Sequence, residues 1–494
     1  MEAALNHAMP LASEPLRKPP RTLCIVLAHH GYRGKPTDFQ YLCSVCRQTL
    51  KDFRKSTPKV NGEALLSRRP RFVFIRPREN NGAKMDAGVF ACARRYVDQV
   101  CLTVDKLVAK RLGIGGEMSC VAVQTTGVTA DGAKTAAKHK LCFSAVGHSM
   151  GGLILRAALP ELMERIEERF EAFEEVCEVH WDLFCTMATP HLGVRYMKSK
   201  AMTFLCRRIG THLWPAMADL FCTNSVVGVD LTSDDYLAAW GRFERRVLLN
   251  VVNDNTVLTY SSSFAVTLDV LKRVGAPLPS TDEEITDMCC PQDDEEEEEE
   301  EENHQHSDGA VLQLARLGVK CASSREELCD NGFVLESISP ELWPPDVLVE
   351  ERELAERILT HVGPLELHLV DFRPPCARLT SAAAPDETDG CDAPRRPGIL
   401  AREMVTIAAA RFGHWALVGK KPCKYPSVFG FVSEYIVKDL LLRSYGISAP
   451  VLAPQDGHLH CGGASNGGDT EVKDHDCMLT VAEPSGAPAP LANV

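Results

Sequence analysis

The chain has 494 residues, is 45% hydrophobic, and carries 20 cysteines with a formal net charge of −13. Ten of its acids form one block, Asp293 to Glu302, and setting that block aside takes the net charge from −13 to −3. No basic face suggests nucleic-acid binding, no apolar run has the length that spans a bilayer, and the opening MEAALNHAMPLASEPLRKPP lacks the apolar core of a secretory signal. Scattered, reduced thiols are then expected, and with them a cytoplasmic protein.

Residues 1–20 read as a disordered N-terminus. Thr22 to His30, TLCIVLAHH, is a near-continuous apolar run, which predicts a strand buried on both faces. It ends in His30-Gly31-Tyr32-Arg33-Gly34. Thr37 to Leu50 has helical spacing, and Cys43 and Cys46 within it are expected to pack in the core. RFVFIR (Arg71 to Arg76) is a second strand, and Asp86 to Leu107 a second helix. The polar, Gly-rich stretch from Gly113 to Lys140 reads as an insertion that could hold a short strand at Cys120 to Gln124. After the next strand and helix, Pro160 is expected to open a separate charged helix, Glu161 to Val179. Asp182 to Ala188 and Arg245 to Val252 are further strands. Between them, Thr203 to Leu220 is apolar and bulky, either a packed helix pair or a lid over the site. Ten like charges repel and cannot pack, so the acidic run predicts a disordered excursion. Trp343 to His361 reads as a helix, Leu365 to Phe372 as a strand, Arg373 to Arg396 as a loop, and Val428 to Leu442 as the last helix. The His and Cys residues of the tail (His458, His460, Cys461, His475, Cys477) match no zinc spacing, so no metal site is expected.

The chemistry concentrates in KLCFSAVGHSMGGLILR, Lys140 to Arg156. An apolar strand runs into Gly147-His148-Ser149-Met150-Gly151, which fits G-x-S-x-G, and a helical stretch follows. Strand, sharp turn and helix are the context of a nucleophile elbow, which lifts the serine hydroxyl above the sheet at a helix N-terminus. Acyl transfer by serine also needs a base, a carboxylate to orient it, and donors for the oxyanion. In an α/β-hydrolase the chain order is nucleophile, acid, histidine. Ser149, Asp254 and His414 occur in that order, and Asp254 and His414 each follow an apolar run. His361 and His368 fall inside predicted elements, and His191 precedes the acid. The expected oxyanion donors are the backbone N–H groups of Tyr32 and Met150. Gly31, His148, His191 and Leu192 are expected to line the substrate pocket.

Five stretches carry a family resemblance: LAHHGYRGKPTDFQYL, VGHSMGGLILR, ATPHLGVR, VVNDNTV and, more weakly, FGHWALV. With them the chain resembles the DUF676 serine esterase family of lipase-like proteins, which includes yeast lipases. The likeness spans roughly Thr22 to Leu442, with long insertions. It implies an α/β-hydrolase fold acting on lipid esters, with Ser149 as nucleophile, Asp254 as acid and His414 as base. The chain departs from relatives at His29-His30-Gly31 and at Leu258, where relatives often have Pro.

The expected architecture is a mostly parallel sheet flanked by helices, with lid and disordered insertions. Residues 21–276 form the first part of the hydrolase domain, with a lid at about 195–245. Residues 277–310 are the acidic insertion, 311–445 the last part carrying the catalytic histidine, and 446–494 a disordered tail. The expected function is cofactor-free hydrolysis of lipid carboxylic esters, of lipase or phospholipase type, through an acyl-enzyme. The expected partner is the lipid ester itself, met by peripheral contact with membranes or lipid droplets. A soluble carboxylesterase or thioesterase, and an idle hydrolase-fold scaffold, remain the alternatives.

Overall fold

The first apolar run is paired on both sides. Strand β1 (Thr22–His29) lies between β2 (Arg71–Ile75) and β3 (His139–His148), parallel to both. The computed structural model describes residues 21–56, 70–112, 138–195, 200–251, 254, 256–257, 259–264, 321–337, 343, 347–372, 413–418, 426–445 and 447. The expected strand at Cys120 to Gln124, the acidic block, the loop from Arg373 and both chain ends lie outside these residues.

β4 (Cys177–Met187) and β5 (Arg245–Val251) extend the sheet, and β8 (Leu365–Val370) follows β5, all parallel. Two short strands absent from the sequence reading, β6 (Cys321–Ala322) and β7 (Phe333–Leu335), share the free edge of β8. β6 runs parallel to it and β7 antiparallel. Strands of two and three residues leave too little periodicity to read. The order is β2-β1-β3-β4-β5-β8-β6, so the chain winds outward from β1 in both directions. Parallel strands need helical crossovers, and these cover both faces.

On one face lie α2 (Val89–Leu112), α3 (Met150–Glu171) and the helices Asp234–Gly241 and Val349–Val362. On the other lie α1 (Gln40–Ser56) and the C-terminal helix Pro426–Tyr435. Cys43 and Cys46 are buried in that second layer, where burial pushes the Cys43 thiol up to about 11.

Pro160 does not open a new helix. α3 runs unbroken from Met150 to Glu171 with Pro160 inside it. A proline there removes one i→i−4 hydrogen bond, at about 3 kcal/mol. Burial of Leu155, Leu159, Leu162, Met163 and Ile166 against the sheet offsets that cost. Packing on either side holds the helix through the proline.

Between β4 and β5, short helical turns follow one another. α4 (Lys200–Leu205) leads through a wide turn at Cys206–Gly210 to Pro215–Leu220. Phe204, Leu205, Ile209 and Leu213 are largely exposed here, while Ala216 and Leu220 are buried.

Candidate active site

β3 ends at His148 and α3 begins at Met150, leaving Ser149 alone at the turn. Ser149 has φ 54° and ψ −132°, a strained conformation for a residue with a Cβ. Its N–H donates to the Met187 carbonyl at 2.8 Å, which ties the turn to the end of β4. The flanking glycines are required by close approach. A Cβ on Gly147 would lie 2.6 Å from the Gly152 Cα, and one on Gly151 would lie 2.2 Å from the His29 carbonyl. Met150 opens the helix, so its N–H belongs to the first turn, which has no intrahelical partner.

The loop after β1 comes up against the serine. A Cβ on Gly31 would stand 2.8 Å from the Ser149 Cβ, so only glycine lets that backbone approach. Asn80 supports the base of the loop by donating to His29 Nε2 at 2.9 Å, while His29 Nδ1 donates to the His30 carbonyl at 2.9 Å. Burial pushes the His29 imidazole well below its usual pKa, which keeps it neutral in that role.

The parallel register puts the C-terminal ends of β3, β4, β5 and β8 on one sheet edge, where α/β sites form. Asp254 sits just past β5 on that edge. Its Oδ1 accepts from the Thr256 and Val257 N–H groups at 2.7 and 2.9 Å. Its Oδ2 accepts from His414 Nδ1 at 2.7 Å. The two side chains are 1% and 6% exposed, so the pair is shielded from water and from screening salt.

His414 lies on the short helix Gly413–Ala416. His148, the neighbour of Ser149, reaches it: Nε2 donates to the His414 carbonyl at 2.9 Å, and the two rings stand 4.7 Å apart. The structure thus gathers Gly31, His148, Ser149, Asp254 and His414 at one place. His361 and His368 lie elsewhere. His361 bonds the Arg357 carbonyl on its own helix. His368 is buried against Leu328 and Tyr435, and burial takes its pKa down to about 4.

His191 and Leu192 are fully buried rather than lining an open face. His191 is stacked between Trp240 and Phe264, with ring centroids 5.1 and 5.5 Å away. Its Nδ1 accepts from Arg156 at 3.2 Å and its Nε2 donates to Thr186 Oγ1 at 3.1 Å. It therefore ties the helix after the serine to β4. Arg156 is 0% exposed. It also donates to the Leu231 carbonyl at 2.8 Å and lies 4.7 Å over Trp240. Burial takes its pKa down to about 9. Arg156 was not among the residues singled out by motif or spacing. The signal was present, since an arginine closes an otherwise apolar helical stretch, LILR.

A mostly parallel sheet flanked by helices, carrying a serine at a strained strand-to-helix turn, defines the class: an α/β-hydrolase. Residues 21–265 match the model of the family described as "Putative serine esterase (DUF676)", a match that supports a serine hydrolase. Asp254 falls inside the match; β8 and His414 fall outside it. Among solved structures, similarity is found to "the putative cell surface hydrolase from Lactobacillus plantarum WCFS1", with 14% identity over 49% of this chain and 74% of that chain and a TM-score of 0.21. No curated protein matches. Among the described residues, no group of side chains could hold a metal ion, and no helix is long and apolar enough to cross a membrane.

Proposed function

We propose that the chain hydrolyses carboxylic esters of lipids with Ser149 as nucleophile, His414 as general base and Asp254 as its orienting acid. The observation that carries this reading is the His414–Asp254 pair, docked onto His148, the residue next to Ser149. In the reaction His414 Nε2 takes the Ser149 proton as Oγ attacks the ester carbonyl. The N–H groups of Tyr32 and Met150 receive the negative charge on the carbonyl oxygen. Collapse forms the acyl-enzyme, and His414 returns its proton to the departing alcohol. Water, activated by the same base, then releases the acid.

The lipid part of the reading is supported by the segment between β4 and β5. Phe204 and Leu213 are 66% and 60% exposed, beside exposed Arg207 and Arg208. No Asp or Glu occurs between Arg195 and Ala218 in a chain whose net charge is −13. An apolar, basic surface of this kind suits the plane of a lipid interface. In this reading residues about 195–245 serve as the lid of one hydrolase domain, interrupted by the acidic insertion at 277–310. The chain then works peripherally on membranes or lipid droplets.

A series of 4-nitrophenyl and glycerol esters of graded chain length tests the proposal. Rates that rise with chain length and at the lipid interface support it. Preference for short soluble esters or for thioesters would instead favour the esterase alternatives.

A further inference from the structure

The loop that would supply the Tyr32 N–H is held from outside the site. Gly31 to Gly34 close a turn, with the Gly34 N–H donating to the Gly31 carbonyl at 2.9 Å. Its middle is strained: Arg33 has φ 49°, a left-handed conformation that a side chain with a Cβ keeps only when its surroundings hold it. Asp86 does the holding. Its Oδ1 accepts from the Tyr32 hydroxyl at 2.6 Å and from Arg33 Nε at 2.9 Å, and its Oδ2 accepts from a terminal Arg33 nitrogen at 2.7 Å. Two consecutive loop residues thus grip one carboxylate, and the guanidinium meets it as a two-pronged fork. A backbone tie runs alongside, the Gly82 N–H donating to the Gly34 carbonyl at 3.1 Å. Arg33 also lies 5.1 Å over the Trp214 ring, from the segment between β4 and β5. At the loop's other end, Gly31 faces the Ser149 Cβ.

We infer that Asp86 is a positioning residue for the oxyanion loop: through Tyr32 and Arg33 it sets the backbone whose N–H meets the substrate carbonyl beside Ser149. The role in hydrolysis rests on the ester-hydrolase reading above; the clamp itself rests on the loop geometry. The two readings separate because a surface ion pair that does nothing else is worth little to the fold. The Arg33 and Asp86 side chains are 45% and 17% exposed, so a merely structural pair would leave loop and turnover almost unchanged when broken.

The test uses the full chain with Asp86→Asn, Asp86→Glu and Arg33→Gln. Hydrogen–deuterium exchange is followed in the peptide covering residues 30–36, and kcat and KM are measured on a short soluble 4-nitrophenyl ester. Asp86→Asn and Arg33→Gln should each speed exchange in the loop. Each should lower kcat about tenfold to a hundredfold, as misplacement of an oxyanion donor does, with KM within about twofold. Asp86→Glu should restore part of both. The double variant should be little worse than the single ones, because both remove the same contact. Arg33→Gln breaks the pair from its exposed side and keeps the test decisive if Asp86→Asn unfolds. Unchanged exchange in both variants overturns the clamp. Faster exchange with unchanged kcat overturns the positioning role. A folded parent chain that turns over no ester and takes up no fluorophosphonate refutes the ester-hydrolase reading, and the positioning role with it, while the exchange data still decide the clamp.

Discussion

His414 Nδ1 lies 2.7 Å from Asp254 Oδ2 across 160 residues of sequence. The other carboxylate oxygen, Oδ1, accepts from the Thr256 and Val257 N–H groups, which orient the carboxylate toward the imidazole. In the proposed mechanism, an acid held this way keeps the proton on His414 Nδ1 and leaves Nε2 as the nitrogen that takes the Ser149 proton.

Asp254→Asn should therefore retain the fold and lose turnover on the order of 10³- to 10⁴-fold, because the amide leaves His414 in the wrong tautomer. His414→Ala should fall to a similar residual rate. The Ser149→Ala/His414→Ala double variant should be little worse than either, since the three groups act as a unit. Steady-state hydrolysis of a soluble ester, with thermal melting as the control for folding, decides this. Near-parental activity in His414→Ala with loss in His361→Ala or His368→Ala would move the base elsewhere.

His148 carries the second expectation. Its ring holds the His414 backbone, so His148→Leu should keep Ser149 and the elbow glycines while loosening the helix Gly413–Ala416. The expected result is a fall in kcat of about tenfold to a hundredfold, on the scale of misplaced catalytic groups. Unchanged kcat would show that the His148–His414 bond is incidental to turnover.

Much of this arrangement was legible in the sequence, and what escaped shows why. β1, β3 and β5 are long apolar runs, buried on both faces, which few other structures can accommodate. The elbow was visible because its glycines have no alternative: Gly151 lies against the His29 carbonyl. Asp254 and His414 were proposed as a pair from chain order, and the two side chains lie in contact. Continuation of α3 through Pro160 was not legible, because tertiary burial outweighs a local preference that sequence shows and burial hides. Nor was the placement of His191. A histidine beside a motif glycine reads as a pocket residue until its stacking on Trp240 and Phe264 is seen. Asp86 read only as a helix start, since its partners Tyr32 and Arg33 lie more than fifty residues away.

Buried neutral histidines give the fold an acid sensitivity. Burial depresses His29 and His191 well below the ordinary imidazole value, and takes His368 down to about 4. A depressed histidine binds its proton in the unfolded chain first. Stability is then full above about pH 6.5 and is lost as pH falls below it, by up to about 1.4 kcal/mol per pH unit for each such group. For His368 the loss runs from about pH 6.5 to about pH 4. Melting temperature should drop between pH 6.5 and 5, and less steeply in His368→Gln than in the parent. A flat profile in the parent would contradict the burial assigned to these rings.

The exposed apolar side chains between β4 and β5 give a fourth expectation. Phe204→Ser with Leu213→Ser should lower hydrolysis on anionic vesicles or emulsions about tenfold or more, through lost apolar contact with the interface. Activity on a soluble short ester and the melting temperature should hold, because neither side chain is buried. Equal losses on both substrates would mean that these residues support the core.

The most direct measurement is covalent. The folded chain is treated with a fluorophosphonate, digested, and the modified residue located by mass spectrometry. The account expects stoichiometric labelling at Ser149, abolished in Ser149→Ala and slowed strongly in His414→Ala and Asp254→Asn. A folded parent chain left unlabelled, or labelled at a serine other than Ser149 with ester hydrolysis intact in Ser149→Ala, would contradict it.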